Sequence, residues 1–491
     1  MYSVGDAVDL VATAGFLLLR DVVRFITMLI LVRLLQPSDY GSFALALSIV
    51  TLFSVVSFST FVSHALQFRD PADIDWQSHF TAGAVVNLAL ALLTLIVAWV
   101  LSFTSLYSPA AIPLAVLSLI FVVDVPAALR QRMLQVRHDW RRFRLLAFSG
   151  SVLSSLAAVV IAVLGGGIWA LIVQPVAVGF PATLDLLLIA KWRPQLAWSW
   201  ARYRSSAAFG ATRIVAGLLP NGRQMLEQSL LVGTYHFAAL GVFTRAMGLA
   251  TLIAGRPAFA AVESLYPIIT RAKRGSAQFE RYAGLSMRGV VWMTVPTSVL
   301  LAVFAPDVVA LLYGPKWDEV VPLLPLAAIG VGFGAVAMAA QSLLLANNEF
   351  RSCLAIDIIS AALGVTLAFW LVPAGIQIYV SALVAHGMLL LVLAVELLVR
   401  TGGIGRASLL AAFLPPVLAV TAAMGAVFAA RVTLGSSSIL PVRLLCESAL
   451  FAIVYLAVLR LAFKRALREL VEVAPAGNQM AAILGLKPPK V

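Results

Sequence analysis

Charge is scarce in this chain: 12% of its 491 residues are charged, about half the usual share of a soluble domain. So little polar surface cannot clothe a water-soluble protein of this length, and that class is excluded. Cysteine is nearly absent. The two that occur, Cys353 and Cys446, lie inside apolar runs, so no disulfide framework or cysteine-based metal cluster can be built. The sequence has no GxxxxGK[ST] loop to cradle ATP phosphates, so any movement it drives is not powered by its own ATPase. No loop is long enough for a separate extramembrane enzyme domain or receptor module. Positive charge is missing at the start, where MYSVGDAVDL is weakly acidic and a cleavable signal peptide would be basic. The first apolar stretch is therefore expected to stay in the protein.

What is present is apolar. Hydrophobic residues make up 62% of the chain, and the mean hydropathy is +0.99. A helix crosses the hydrocarbon core with about 20 mostly apolar residues. Fourteen such stretches are predicted, the first six near 11–33, 41–66, 80–105, 110–129, 146–165 and 167–190. Four follow near 208–233, 238–266, 288–312 and 320–345, and the last near 352–372, 375–399, 408–430 and 440–462. The runs are continuous, without the alternation of a transmembrane β-barrel. The fold expected is an all-α polytopic membrane protein.

The net charge of +13 would suit a nucleic-acid partner, but its placement argues for topology instead. Arg130, Arg132, Arg137, Arg141, Arg142 and Arg144 share one connection. Lys191, Arg193, Arg202 and Arg204 share another, and Arg271, Lys273, Arg274 and Arg281 a third. Arg400 and Arg406, then Lys464, Arg465 and Arg468, continue the series. With fourteen spans all these segments fall on one side, while the opposite loops, such as LYSP and VPAG, hold few cations beyond Lys316 and Arg431. That is the positive-inside pattern. It predicts cytoplasmic termini and basic loops that meet anionic headgroups. Trp192, Trp198, Trp200 and Trp317 fit interfacial belts.

The chain repeats at an offset of 200 residues. DYGSFALA (Asp39 to Ala46) aligns with ALGVFTRA (Ala239 to Ala246), placing Gly41 on Gly241, Phe43 on Phe243 and Ala46 on Ala246. Arg20, Asp21 and Arg24 then meet a second polar cluster in which Asn221 takes the Asp21 place, and Arg223 and Gln224 bracket that of Arg24. An even number of spans separates the copies, so the repeats are parallel, about an axis along the membrane normal. The expected division is a six-helix bundle over 1–205, a second over 206–400, two further spans over 401–465 and a cytoplasmic tail over 466–491. Two like bundles facing one another would enclose a central cavity.

Charges at membrane depth are the candidate site. Arg20 and Arg24 lie four apart on one helix face, with Asp21 beside them. The seventh span carries Arg213, Arg223 and Glu227 around Asn221; the eighth carries Arg245, Arg256 and Glu263. On a regular helix those last three form one stripe, bent at Pro257. An ionised group at bilayer centre costs at least about 2.5–3.5 kcal/mol, so these side chains should face protein or a wet cavity. Arginine's planar fork suits phosphate. Structural ion pairing and snorkelling remain alternatives, more so for Arg213 and Arg256, which fall near the interfaces. Asp21, Glu227 and Glu263 are expected to hold arginines in place. Asp124, Asp185, Asp357, Glu396 and Glu447 look isolated, and helix contacts explain them as well as ion coupling does. His386 is read as a packing histidine.

These residues lead to a family. VRLLQPSDYGSFALALSIV (Val32 to Val50), EQSLLVGTYHFAALGVFTRAMGLA (Glu227 to Ala250) and FAPDVVALLYGPKWDEVVPLLPLAAIG (Phe304 to Gly330) resemble, in order and spacing, segments of bacterial polysaccharide transport proteins. Those are the oligosaccharide flippases of the multidrug/oligosaccharidyl-lipid/polysaccharide (MOP) exporter superfamily. Glu227 holds a place often taken by aspartate, and Phe243 one often taken by tyrosine. The resemblance implies two bundles around a cavity that moves polyprenyl-diphosphate-linked oligosaccharide to the outer leaflet of the bacterial inner membrane. It implies a transporter rather than an enzyme, without a bound cofactor, coupled in many relatives to a Na⁺ or H⁺ gradient. The partners it implies are the lipid-linked glycan, membrane lipids, a polysaccharide polymerase and other assembly proteins. Three other readings stay open: a lipid II flippase, a multidrug or small-molecule efflux transporter, and a non-transporting scaffold for polysaccharide synthesis.

Overall fold

The computed structural model describes residues 4–68, 70, 73–256, 269, 276–401, 404–434 and 439–473. Among these, eleven helices are long and apolar enough to cross a membrane, or twelve if one bent pair counts as a single span. Much of their apolar surface points outward: Val85 and Trp99 are each 64% exposed, and lipid rather than water can cover such faces. The chain is a multi-pass α-helical membrane protein. It divides into two compact units, Met1–Thr244 and Arg245–Val491.

The first unit begins with α1 (Val4–Leu34) and α2 (Pro37–Ser54). Proline at the first position of α2 loses no helical bond, and the Gln36 backbone N–H donates to Asp39 at 3.0 Å in a reciprocal cap. α2 stops before Ser57 and resumes as α3 (Phe58–Val62) with a 3₁₀ turn, bent by 45°. α4 (Trp76–Ser102) is capped by Asp75, which accepts from the Ser78 backbone N–H at 3.1 Å and its hydroxyl at 2.9 Å. Burial alone would raise the Asp75 carboxyl. The two Ser78 bonds and the Arg202 charge outweigh it and hold the group below its ordinary range.

α5 (Ser108–Leu117) and α6 (Leu119–Val136) form one broken span, followed by α7 (Trp140–Val163). α8 (Trp169–Ala177) contains Pro175, and α9 (Phe180–Leu184) runs into a π-helical turn over Asp185–Ile189. α1 packs on α7, α7 on α8, α4 on α6 and α6 on α9. α10 (Trp200–Ala250) is interrupted at His236, whose φ is 64°, where the sequence places an outer loop. Two glycines permit close backbone approach beside this break. A Cβ on Gly41 would overlap the Phe237 carbonyl, and one on Gly241 would overlap the Pro37 carbonyl. The two contacts are reciprocal across the 200-residue offset, since 37 and 41 correspond to 237 and 241.

The second unit centres on α11 (Ala277–Val303), whose most apolar window is 61% buried. It packs against α13 (Leu324–Ala346) and α16 (Arg406–Leu434). Trp292 donates to the Ala412 carbonyl at 3.0 Å and accepts at its own carbonyl from Tyr455 at 2.7 Å, joining α11 to α16 and α17 (Leu440–Ala462). α12 (Ala305–Leu312) occupies part of the predicted ninth span, which starts earlier than expected and ends in a separate short helix. α14 (Phe350–Leu371) and α15 (Ile376–Arg400) follow the predicted bounds closely. Trp317 is fully buried beside Tyr313, so protein rather than lipid headgroups surrounds it, while Trp198 and Trp200 are exposed. The start of the tail is helical, as α18 (Lys464–Val473), with Glu469 bound to Arg288 at 2.8 Å.

Candidate functional site: an arginine-lined cavity in the first unit

Arg20 and Arg24 project from α1 into a cavity of about 380 Å³. α6 forms much of the facing wall with Asp124, Ala127, Ala128, Gln131 and Arg132; α3 adds Ser59, and Pro175, Val178 and Gly179 close another side. The space arises where helices break. α2–α3 bends at Ser57, α5–α6 at Ser118, and α8 carries Pro175, which removes a backbone donor from the ladder. Straight, close-packed helices would have filled it. Arg24, Pro175 and Val178 also line an adjoining cavity of about 320 Å³ with Ser154, Ser155 and Gln174. Arg24 thus lines both spaces.

The cationic groups have neutral or short-range partners. Arg24 Nε donates to Ser151 at 3.2 Å. Arg20 reaches the adjacent Asp21 at 3.3 Å. Arg132 donates to Gln135 at 2.7 Å and Ser63 at 3.4 Å. The carboxylate on the cavity wall, Asp124, is braced from two other helices. Its Oδ1 accepts from Ser59 at 2.7 Å and its Oδ2 from Asn87 at 3.3 Å. Asn87 is itself fixed, donating to the Phe121 carbonyl at 2.9 Å and accepting from the Phe58 N–H at 2.8 Å. That last bond satisfies a donor exposed by the α2–α3 break. Cavity shape and polar network therefore share one cause.

The other sequence-predicted residues lie elsewhere. Arg223 pairs with buried Glu227 at 3.8 Å along α10, and Asn221 donates to the Gly217 carbonyl at 2.8 Å. Arg213 is exposed and lies 5.7 Å over the Phe209 ring. Arg245 belongs to the second unit, where its carbonyl accepts from Tyr313 at 3.4 Å. A π-helical turn at Thr251–Gly255 separates Arg245 from Arg256. Such a turn adds about one residue to the helical count, so Arg256 is rotated off the stripe a regular helix would form. Glu263 and Pro257 lie outside the described residues.

Ser59, Asn87 and Gln131 are not singled out by the sequence; Arg132 reads there as part of a basic connection and Asp124 as an isolated carboxylate that helix contacts explain as well as ion coupling does. One signal was available: Asp124, Ala127, Ala128 and Gln131 follow i, i+3, i+4, i+7 spacing, a small and polar stripe on an otherwise apolar helix. Asp185 is not isolated either. It is 4% exposed and bound at 2.5 Å by both Arg130 and Arg142, so part of the basic cluster at 130–144 is structural. Glu447 likewise accepts two bonds from Arg431, at 2.9 and 2.7 Å. His386 is buried and lies 3.4 Å from the Ser360 hydroxyl, in keeping with a packing role. Among the described residues no three His, Cys, Asp or Glu side chains group as metal ligands.

A family model described as polysaccharide biosynthesis protein matches residues 30–322, a region that begins after Arg20 and Arg24. The succinoglycan biosynthesis transport protein ExoT of Rhizobium meliloti (strain 1021) is 23% identical over 314 residues, 63% of this chain and 63% of that relative. The match thus spans under two thirds of the curated relative's length. Among solved structures, one titled lipid II flippase MurJ, inward closed conformation, aligns with a TM-score of 0.71 at 12% identity, over 92% of this chain and all of that one. An inward-facing multidrug resistance MATE family transporter of the MOP superfamily aligns with a TM-score of 0.56 at 16% identity, over 78% of this chain and 93% of that one. The chain belongs to the polysaccharide biosynthesis protein family.

Proposed function

We propose that the protein is a flippase that moves polyprenyl-diphosphate-linked oligosaccharide repeat units to the outer leaflet of the bacterial inner membrane by alternating access. The observation that carries this reading is the cavity into which Arg20, Arg24 and Arg132 converge. Guanidinium forks match the dense acceptor oxygens of a diphosphate, and a low-dielectric surround strengthens charge-assisted bonds. The sugar would take the water-accessible space around the arginines, while the isoprenoid tail stays in lipid. No covalent bond changes, so no catalytic group is required, and a Na⁺ or H⁺ gradient is the energy source proposed. Arg223, Arg245, Arg213 and Arg256 are proposed to act along the cargo's route rather than in this cavity.

The topology proposed has fourteen crossings: the twelve spans that pass on length and composition, with α10 crossing twice rather than once at its break, and α1 in addition. Both termini are then cytoplasmic, consistent with the basic connections. A glycan polymerase and other assembly proteins are the proposed partners.

Lipid II transport is the second reading, favoured by the fold shared with the structure titled as a lipid II flippase. A diphosphate site serves either cargo. Efflux of cationic drugs fits poorly with a cavity rich in arginine. The test is initial translocation in vesicles of three fluorescent lipids: a polyprenyl-diphosphate oligosaccharide, lipid II, and the same glycan on a phosphate-free lipid. Faster movement of the first than of the other two supports the proposal. Preference for lipid II moves the assignment to the second reading, and no diphosphate-dependent movement leaves the scaffold role.

A further inference from the structure

We propose that Asp124 is a built-in counter-anion of the arginine cavity, competing with the cargo diphosphate and taking up a proton when the diphosphate binds. This rests on the reading of the cavity as a diphosphate site. The argument begins with position. Asp124 lines the same cavity as Arg20, Arg24 and Arg132, and it is held there by Ser59 and Asn87 rather than by a direct bond to one of those arginines. A carboxylate committed to a structural ion pair would resemble Asp185, locked between two guanidiniums at 2.5 Å. Asp124 instead stays on the wall while its charge offsets part of the cationic field.

That arrangement has a consequence for turnover. Three arginines offset only by Asp21, which pairs with Arg20 at 3.3 Å, would retain a dianion; a second, fixed carboxylate weakens the site enough for release. The incoming diphosphate raises the negative potential at Asp124, and the carboxyl can relieve it by accepting a proton, which arginine cannot give up at accessible pH. The charged groups facing Asp124 are Arg20 and Arg24 from α1 and Arg132 from α6; Asp21, also on α1, is paired with Arg20 and does not line the cavity. α3 and α4 present Ser59 and Asn87, and the remaining wall, with Phe143, Ala147, Pro175, Val178 and Gly179, carries no titratable side chain. Asp124 is therefore the group on this wall able to make binding proton-linked.

The test uses the full-length protein in nanodiscs and a water-soluble diphosphate diester, whose phosphates do not titrate between about pH 5 and about pH 8. Wild-type affinity should rise as pH falls, with uptake of up to one proton per diester bound, read by calorimetry in buffers of different ionisation enthalpy. Asp124→Asn keeps the shape and removes the charge. It should bind about ten-fold more tightly at the alkaline end, with no linked proton and little pH dependence. Binding of the diester by wild type without proton uptake overturns the inference while leaving the cavity's phosphate role intact; this arm needs no variant to fold. The same pH profile in Asp124→Asn, in protein with unchanged thermal unfolding, also overturns it. Failure of wild type to bind the diester at any pH overturns the cavity reading and this inference together.

Discussion

Replacing Asp185 with asparagine tests the structural half of the basic cluster. Its carboxylate joins α6 and α7 through Arg130 and Arg142, with Arg130 6% and Asp185 4% exposed at the side chain. Asparagine preserves volume but leaves the Arg130 guanidinium buried without its counter-charge, at a cost of about 3–5 kcal/mol. The Arg142 arm is 36% exposed, so its removal should add at most about 1 kcal/mol. Asp185→Asn should therefore lower the unfolding temperature of detergent-solubilised protein much more than Arg142→Ala does. A double change, Arg130→Met with Asp185→Leu, removes both buried charges and should recover most of the stability, because an apolar pair escapes the desolvation penalty. Equal unfolding temperatures for wild type and Asp185→Asn would refute the reasoning. A double variant no better than the single would place the destabilisation in hydrogen bonding rather than in an orphaned charge.

Gly41→Ala should reduce folded yield, because its Cβ would overlap the Phe237 carbonyl, whereas Gly222→Ala, with open space around it, should be tolerated; size-exclusion recovery compares them. Asp75 is held below its ordinary range, so its capping contribution should be complete above the unfolded carboxylate range and fade as pH falls through the depressed folded value. Unfolding temperature against pH should show that acid-side decline in wild type and less of it in Asp75→Asn. Single cysteines at Gln135 and Lys316, in a background lacking Cys353 and Cys446, should label from outside at 316 and not at 135 with an impermeant thiol reagent.

Periodicity and hydropathy made the helices legible because each is a local property. The span predicted near 440–462 is α17, Leu440–Ala462, and the loop placed at His236 is a break in α10. Arg20 and Arg24 could be picked out because their spacing alone puts them on one face and their depth makes them costly. Asp124 could not, since its partners Ser59 and Asn87 stand 65 and 37 residues away and are brought in by the kink after α2. Asp185 looks isolated in the sequence for the same reason: its arginines come from two other helices, Arg130 from α6 and Arg142 from α7, 55 and 43 residues away. The burial of Trp317 depends on packing around Tyr313 that no local pattern announces. The reciprocal close approaches of Gly41 and Gly241 give the weak 200-residue sequence repeat a physical reason for glycine in both copies.

The central claim is that arginines of α1 engage the diphosphate of a lipid-linked glycan. Its most direct test is the initial flipping rate in reconstituted vesicles, normalised to folded protein, for wild type and for Arg20→Ala combined with Arg24→Ala. A charge-assisted hydrogen bond is worth about 1.5–3 kcal/mol, so the double variant should flip the diphosphate-linked glycan at least about ten-fold more slowly. Arg24→Lys should recover only part of that rate, since it restores the charge without the fork. Equal rates for wild type and the double variant would contradict the account and remove this cavity from the transport mechanism.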